Sequence, residues 1–459
     1  MLQIFAPYNR RLIREIPLAT REEAEILLQR ASSLFNDQSR WLATVERITI
    51  LKKTAAIMMA QAEALANMAA EEGGKPYIDS KAEVLRAING VEIAIGQISQ
   101  LKGEQIPMGL NKASENRIAF TTREPIGVVF SICAFNHPLN LVIHQTVTAI
   151  AAGCPVIIKP AATTPLSCLN FIGILKEAGL PEGWCESIVC SNEMAEAIAI
   201  DPRIGYLSFI GSAKVGWHLR SRLAPGTRCA LEHGGAAPVI VEKDADVAEL
   251  VPALLKGGFY HAGQVCVSVQ RIFINADICG QVSRLLSEGA QKLIVGDPLD
   301  KNTEVGPLIL PKEVDRVHAW ITEAVQQGAK LLCGGKKISD TCYEPTVLLD
   351  PPGDARISTL EVFGPVVCIY SYSDREEAIK KANSLDLHFQ ASVFTKNIDV
   401  AMECVKKLNA TAVMVNDHTA FRVDWMPFGG RDSSGLGMGG IPYTMHEMPR
   451  EKLVVIKSK

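Results

Sequence analysis

Between Gly127 and Leu223 one pattern repeats four times: a short apolar run rich in β-branched residues, then a stretch with apolar residues at helical spacing. The runs fall at 127–132, 155–158, 187–190 and 206–210, and the helical stretches at 139–152, 165–178, 193–200 and 213–223. Strands that alternate with helices are joined by right-handed crossovers, which lay them parallel and cover both faces of the sheet. This region is therefore committed to an α/β fold. A second series starts at Pro238, with strands expected near 239–241, 271–274, 366–370, 391–394 and 412–415. Its helices are expected near 250–260, 280–291, 311–327, 376–382 and 400–408. Two such series suit a chain of 459 residues, long enough for two large domains or three smaller ones.

The first hundred residues read as helices. Thr20-x-x-Glu23 and Ser80-x-x-Glu83 have the form of capping boxes, and apolar residues recur at helical spacing over 42–70 until Gly73-Gly74 stops them. Segments 117–123 and 452–457 are strand-like without helical cover, so each needs an edge to pair with. A small oligomerisation sheet is expected there.

Composition narrows the function. The 47 basic and 50 acidic residues give a net charge of −3 and no basic stripe, which argues against a nucleic-acid partner. Residues 125–158 contain no Asp, Glu, Lys or Arg, but Pro138 and Pro155 cut them into pieces shorter than the roughly 20 apolar residues of a spanning helix. No membrane span is expected. The twelve cysteines form no C-x-x-C pair, and Met1–Pro7 carries no targeting pattern, so reduced thiols in a cytoplasm are expected. The nine histidines include no H-E-x-x-H, and no metal site is expected.

The one formal dinucleotide fingerprint is Gly435-Leu-Gly437-Met-Gly-Gly440. The fingerprint works when a strand runs into it and a helix opens from it, and the loop-like residues 428–434 before it favour a plain glycine-rich loop. A better anion site is Phe209-Ile-Gly211-Ser212, where a strand ends and a helix begins: Gly211 permits a close turn, and the first N–H groups of the helix are free. Four polar residues stand in apolar surroundings, namely Asn136, Lys159, Glu232 and Cys266. Taken singly, each has an ordinary explanation in a local hydrogen bond.

Taken in order, the motifs form a larger pattern. Pro125-Ile-Gly-Val-Val through Asn136-His-Pro, Ile157-Ile-Lys159-Pro, Phe209-Ile-Gly-Ser212, Leu231-Glu232-His-Gly-Gly, Gly263-Gln-Val-Cys266, Glu361-Val-Phe363-Gly-Pro and Pro427-Phe-Gly-Gly with Ser434-Gly-Leu-Gly resemble the aldehyde dehydrogenase superfamily over essentially the whole chain. The resemblance implies a Rossmann-like parallel-sheet domain for NAD or NADP (1–106 and 125–236), an α/β catalytic domain (237–432) and a small β oligomerisation element (107–124 and 440–459) in a homodimer or homotetramer. It implies Cys266 as nucleophile, Asn136 with the Cys266 N–H as oxyanion hole, and Glu232 as the base that activates water. The carboxylate at Glu232 argues against the coenzyme A-acylating branch. Lys159 and Glu361 match positions that hold the cofactor riboses, Phe363 the nicotinamide contact, and Gly211 with Ser212 the pyrophosphate.

Some positions depart from the family pattern. Ala162 replaces a glutamate usual in NAD-preferring relatives, which opens the site to the 2′-phosphate of NADP. His233 stands where an aliphatic residue is common. The segments around Cys266 and over 421–428 resemble the branch acting on lactaldehyde, glycolaldehyde and phosphonoacetaldehyde. Arg422, with Phe428, is a candidate to bind an anionic substituent of a small aldehyde, or else is a surface arginine on a loop. The alternatives to a dehydrogenase are a catalytically idle relative and a thiol esterase using Cys266 and Glu232.

Overall fold

In a computed structural model, which describes residues 1–458, the chain builds three principal sheets. Five parallel strands, Val128–Ile132, Val156–Lys159, Cys185–Ser187, Ile204–Ile210 and Arg228–Glu232, alternate with helices Asn140–Ala152, Leu166–Glu177, Asn192–Ala199 and Ala213–Arg222. The chain runs outward from Val128–Ile132 to Cys185–Ser187, then returns to place Ile204–Ile210 on the other flank of the first strand. That reversal opens a crevice beyond the carboxyl ends of Val128–Ile132 and Ile204–Ile210, where doubly wound sheets bind ligands. Asn136 follows the first of these strands and Gly211 the second.

The second sheet has seven strands in the spatial order Lys330–Cys333, Thr346–Leu349, Val366–Tyr372, Val269–Asn275, Ala237–Val241, Gln390–Phe394 and Ala412–Val415. All are parallel except the outermost Lys330–Cys333. The strands over 330–333 and 346–349 escape the apolar periodicity, because they are four residues long and the first is half exposed. The two unpartnered segments find each other: Pro449–Lys457 pairs antiparallel with Arg117–Pro125 over nine residues, and Gln105–Ile106 takes the other side of Arg117–Pro125.

Two expectations for the first hundred residues need correction. The N-terminus is a β-hairpin, Leu2–Phe5 against Leu12–Ile16, ahead of the helices. The box at Thr20 and Glu23 forms, but Ser80 and Glu83 lie inside the helix Tyr77–Gln97, which starts after Pro76. Proline fixes the entry backbone and lacks the N–H a helix start leaves idle, so it sets the boundary ahead of the serine. Glu83 instead turns inward and accepts from the N–H groups of Leu139 and Asn140, both at 3.0 Å. Of segment 440–459, Ile441–Glu447 is a helix whose Ile441 and Met445 join the apolar core around Asn140–Ala152. Gly435–Leu436 pairs antiparallel with Arg228–Glu232, so the glycine-rich loop closes the edge of the first sheet. Among the described residues no helix is long and apolar enough to cross a membrane.

Candidate active site

A cavity of about 590 Å³ opens between the two larger sheets, lined by Asn136, Gly211, Ser212, Glu232, Cys266, Glu361, Phe363, Arg422 and Phe428 among others. Nine of the ten candidate site residues thus meet on one surface. Lys159 does not line it: it is buried at the end of its strand, while the following Ala161 and Thr163 line the cavity.

Cys266 sits on the loop between Tyr260–Gly263 and the strand Val269–Asn275. His261, Ala262 and Gly263 take left-handed backbone in succession (φ 49°, 53° and 69°). At Gly263 a side chain would collide with the Gly364 carbonyl. Such conformations cost of order 1–3 kcal/mol for a non-glycine residue and persist where the surroundings enforce them, commonly at reactive sites. The Asn136 amide donates to the carbonyl of Gln264 at 3.0 Å, which fixes it beside the cysteine loop and leaves its second hydrogen for another acceptor. Glu232 ends the strand Arg228–Glu232, with an oxygen 3.9 Å from the Cys266 sulfur.

Burial raises the Glu232 carboxyl above its ordinary range, opposed by the Arg422 charge and the contact with Cys266. Burial likewise pushes the Cys266 thiol well up, Glu232 adding to the rise and Arg422 opposing it. Once ionised, the Glu232 carboxylate stands where it can take the Cys266 thiol proton. The other eleven cysteines are free, ten of them buried and Cys229 half-buried, as small core hydrophobes would be.

Toward the second sheet, Glu361 is buried with Oε1 lacking a partner, and burial pushes its carboxyl up to about 8. Gly234 lies so close that any side chain there would strike this carboxylate. Phe363, held at φ 46°, presents its ring edge-to-face to Phe135 at 5.8 Å. Ser212 precedes the helix Ala213–Arg222, and its hydroxyl makes no cap bond. Among the described residues, the Lys159 ammonium donates a hydrogen bond to the Pro160 carbonyl alone, at 3.5 Å. An orphan carboxylate that can accept from hydroxyls, free helix N–H groups and an unpaired ammonium suit a dinucleotide, whose riboses and phosphates supply those complements.

At the opposite end, Arg422 lies over the Phe428 ring, 3.5 Å from its centroid. Its side chain is 10% exposed and its Nε has no hydrogen-bond partner, so it is not a surface arginine. Two further residues, Arg86 and Asp424, were not found from sequence. Asp424 accepts from Arg86 at 2.8 and 3.0 Å, from His144 at 2.8 Å and from Asn140 at 3.2 Å, and stands 3.8 Å from Arg422. Burial works against its ionisation, but the His144 bond and the charges of Arg86 and Arg422 prevail and hold it far below the usual carboxylate range. Asp424 is thus largely engaged by Arg86 and His144, and Arg422 keeps most of its charge for the cavity.

The family described as the aldehyde dehydrogenase family matches residues 1–454. This chain belongs to it. The 3-sulfolactaldehyde dehydrogenase of Priestia aryabhattai is 36% identical over 99% of this chain and 94% of its own length. The lactaldehyde dehydrogenase of Methanocaldococcus jannaschii is 35% identical, over 99% and 97%. The glyceraldehyde-3-phosphate dehydrogenase GapN of the same organism, solved in complex with NADP, superposes with a TM-score of 0.95 at 34% identity, covering 100% of this chain and 99% of that one. This aldehyde dehydrogenase oxidises a small aldehyde with NAD or NADP.

Proposed function

We propose that this aldehyde dehydrogenase acts on a short aldehyde bearing an anionic substituent, and converts it to the acid without coenzyme A. The single observation behind this reading is the buried, partly unpartnered Arg422 guanidinium in the cavity that also holds Cys266, Glu232 and Asn136. A buried cation whose neighbouring carboxylate, Asp424 at 3.8 Å, is already engaged by Arg86 and His144 is costly, and a substrate anion completes it. The 3-sulfolactaldehyde relative, whose named substrate carries a sulfonate, supports the reading.

In this reading Glu232 takes the Cys266 proton, and the sulfur adds to the aldehyde carbon. The negative charge that forms on oxygen is held by the second Asn136 hydrogen and the Cys266 N–H, donors worth about 3–4 kcal/mol each where they have been removed elsewhere. A bound nicotinamide would supply the acceptor for the hydride that leaves that carbon. Glu232 then gives its proton up to solvent, removes a proton from water as the water attacks the thioester carbon, and returns that proton to the sulfur as the C–S bond breaks, which releases the acid and restores Cys266. Glu361 and Lys159 would hold the riboses, Gly211 and Ser212 the pyrophosphate, and Phe363 would back the nicotinamide. Ala162 supplies no carboxylate to repel a 2′-phosphate and nothing acidic pairs with Lys159, so NADP is accepted.

The divisions 1–106 with 125–236, 237–432, and 107–124 with 440–459 serve as cofactor, catalytic and oligomerisation parts. Pro449–Lys457 leaves its outer edge unpaired and exposes Leu453, Val455 and Ile456, which suits a contact between copies in a homodimer or homotetramer. Twelve free cysteines suit a reducing cytoplasm.

The test is a panel of short aldehydes, with and without a carboxylate, sulfonate or phosphonate, assayed with each cofactor for the wild type and Arg422→Ala. The expected loss in kcat/KM is about 10- to 100-fold for anionic aldehydes, the worth of one charge-assisted hydrogen bond, and under about threefold for neutral ones. Equal losses overturn the anion site, and a preference for NAD above about a hundredfold overturns the NADP assignment. Turnover of thioesters without cofactor supports the esterase alternative, and silence with every aldehyde the idle one.

A further inference from the structure

His233 directly follows Glu232, yet the chemistry above gives its side chain no role. The imidazole is 2% exposed and lies between the rings of Phe209 and Trp217, with centroids 5.8 and 5.7 Å away. Nδ1 is 2.9 Å from the Gly211 carbonyl oxygen. A carbonyl only accepts, so Nδ1 carries the hydrogen and Nε2 its lone pair. Nε2 is buried without a partner and faces Gly216, where any side chain would collide with the ring. The helix Ala213–Arg222 thus leaves a hole the size of an imidazole, and the ring fills it to reach one carbonyl.

That carbonyl belongs to the turn that opens the helix. The Gly211 N–H donates to the Glu232 carbonyl at 3.0 Å, so Gly211 is tied on both sides to Glu232 and His233. The peptide bond between Gly211 and Ser212 is trans, so the Ser212 N–H points opposite to the Gly211 carbonyl. Holding the carbonyl against His233 therefore fixes the Ser212 N–H on the side away from the ring, and Ser212 itself lines the cleft. An aliphatic side chain at 233 offers no donor and leaves the Gly211 carbonyl without this hold.

We infer that His233 is a positioning residue for cofactor binding, whose Nδ1–H locks the Gly211–Ser212 peptide with its N–H presented to the dinucleotide diphosphate. The inference rests on the reading of Gly211–Ser212 as the diphosphate turn. Because the same residue adjoins Glu232 in sequence, it also joins the cofactor turn to the strand end that carries the base.

The experiment is fluorescence titration of the reduced cofactor, NADPH and NADH, into the purified full-length enzyme, which reads affinity without turnover. His233→Leu is expected to weaken Kd about tenfold, the loss of roughly one hydrogen bond, and to move the KM for the aldehyde less than twofold. His233→Asn keeps a donor at the Nδ1 position and is expected to return Kd to within about threefold of wild type. A purely structural role predicts no such rescue and lower thermal stability in both variants. Unchanged Kd in His233→Leu, or equal weakening in the Leu and Asn variants, overturns the inference. Ser212→Asp tests the underlying reading separately, since a carboxylate at the turn repels a diphosphate. If it leaves Kd unchanged the turn assignment fails, and if it weakens Kd while His233→Leu does not, only the role of His233 fails.

Discussion

Two groups of buried ionisable side chains flank the same cleft and are treated in opposite ways. Behind the wall, Lys75 and Glu83 pair at 2.5 Å with side chains 1% and 0% exposed, and Glu83 also accepts from two N–H groups that open the helix Asn140–Ala152. Glu72 does the same for the helix Leu166–Glu177, accepting from Leu166 and Ser167 at 2.7 Å. Every charge there has its complement within the chain. Facing the cavity, Glu361 and Arg422 keep atoms without partners, and Cys266 meets Glu232 only at 3.9 Å. Burying a charge costs several kcal/mol unless it is paired, so unpaired atoms beside paired ones mark where a ligand supplies the missing half.

The sharpest way to break this contrast is to remove the reactive groups. Cys266→Ala is expected to lower kcat/KM for the aldehyde by at least about 10⁴-fold, the scale on which nucleophiles fail elsewhere. Glu232→Gln is expected to slow turnover by about 10²- to 10⁴-fold and to trap acyl groups on Cys266, visible as a mass adduct of the intact protein. Cys266→Ala should leave the unfolding midpoint unchanged because no buried charge depends on it, and Glu232→Gln should lower it little because Asp424 still stands 3.8 Å from Arg422. A large loss of stability in either would show that the open group is structural after all.

The closed group predicts the reverse. Glu83→Ala strands the Lys75 ammonium and uncaps a helix, and is expected to cost about 3–5 kcal/mol in denaturant unfolding. Changing Lys75→Met together with Glu83→Gln removes both charges and should recover a good part of that loss. If Glu83→Ala left stability untouched but abolished activity, the line between the two groups would be misplaced.

The sequence reveals these two groups unequally. The parallel sheets are legible because crossover helices enforce a rhythm over a hundred residues, and the reactive positions because polar residues at the ends of apolar strands are hard to explain away. The N-terminal hairpin was hidden because Leu12–Ile16 carries Arg14 and Glu15 and is mostly exposed, so it lacks an apolar signature. Glu83 has the spacing of a local cap, and its true partners are out of local sight, 56 and 57 residues ahead. Arg86 and Asp424 are 338 positions apart, and nothing local to either distinguishes it from a solvated charge. His233 was visible only as an oddity, since the glycine that makes room for its ring stands on another element.

The smallest effect concerns Glu361, and it tests whether an open group is completed by ligand. Burial pushes its carboxyl from an ordinary 4.5 up to about 8, with the Arg316 charge and the Gly235 N–H only partly opposing the rise. The folded, ligand-free enzyme therefore holds this proton more tightly than the unfolded chain does. Its contribution to stability is complete below pH 4.5 and is lost as pH rises through 8. Ribose hydroxyls donate to the ionised form, so cofactor binding at pH 7 should release close to one proton into a weakly buffered solution. The Kd for reduced cofactor should weaken about tenfold for each pH unit below 8, and the rise in melting temperature that cofactor produces should be larger at pH 8.5 than at pH 6.5. Glu361→Gln should flatten both trends. A pH-independent Kd in the wild type would mean that Glu361 is completed by protonation alone and belongs with the closed group.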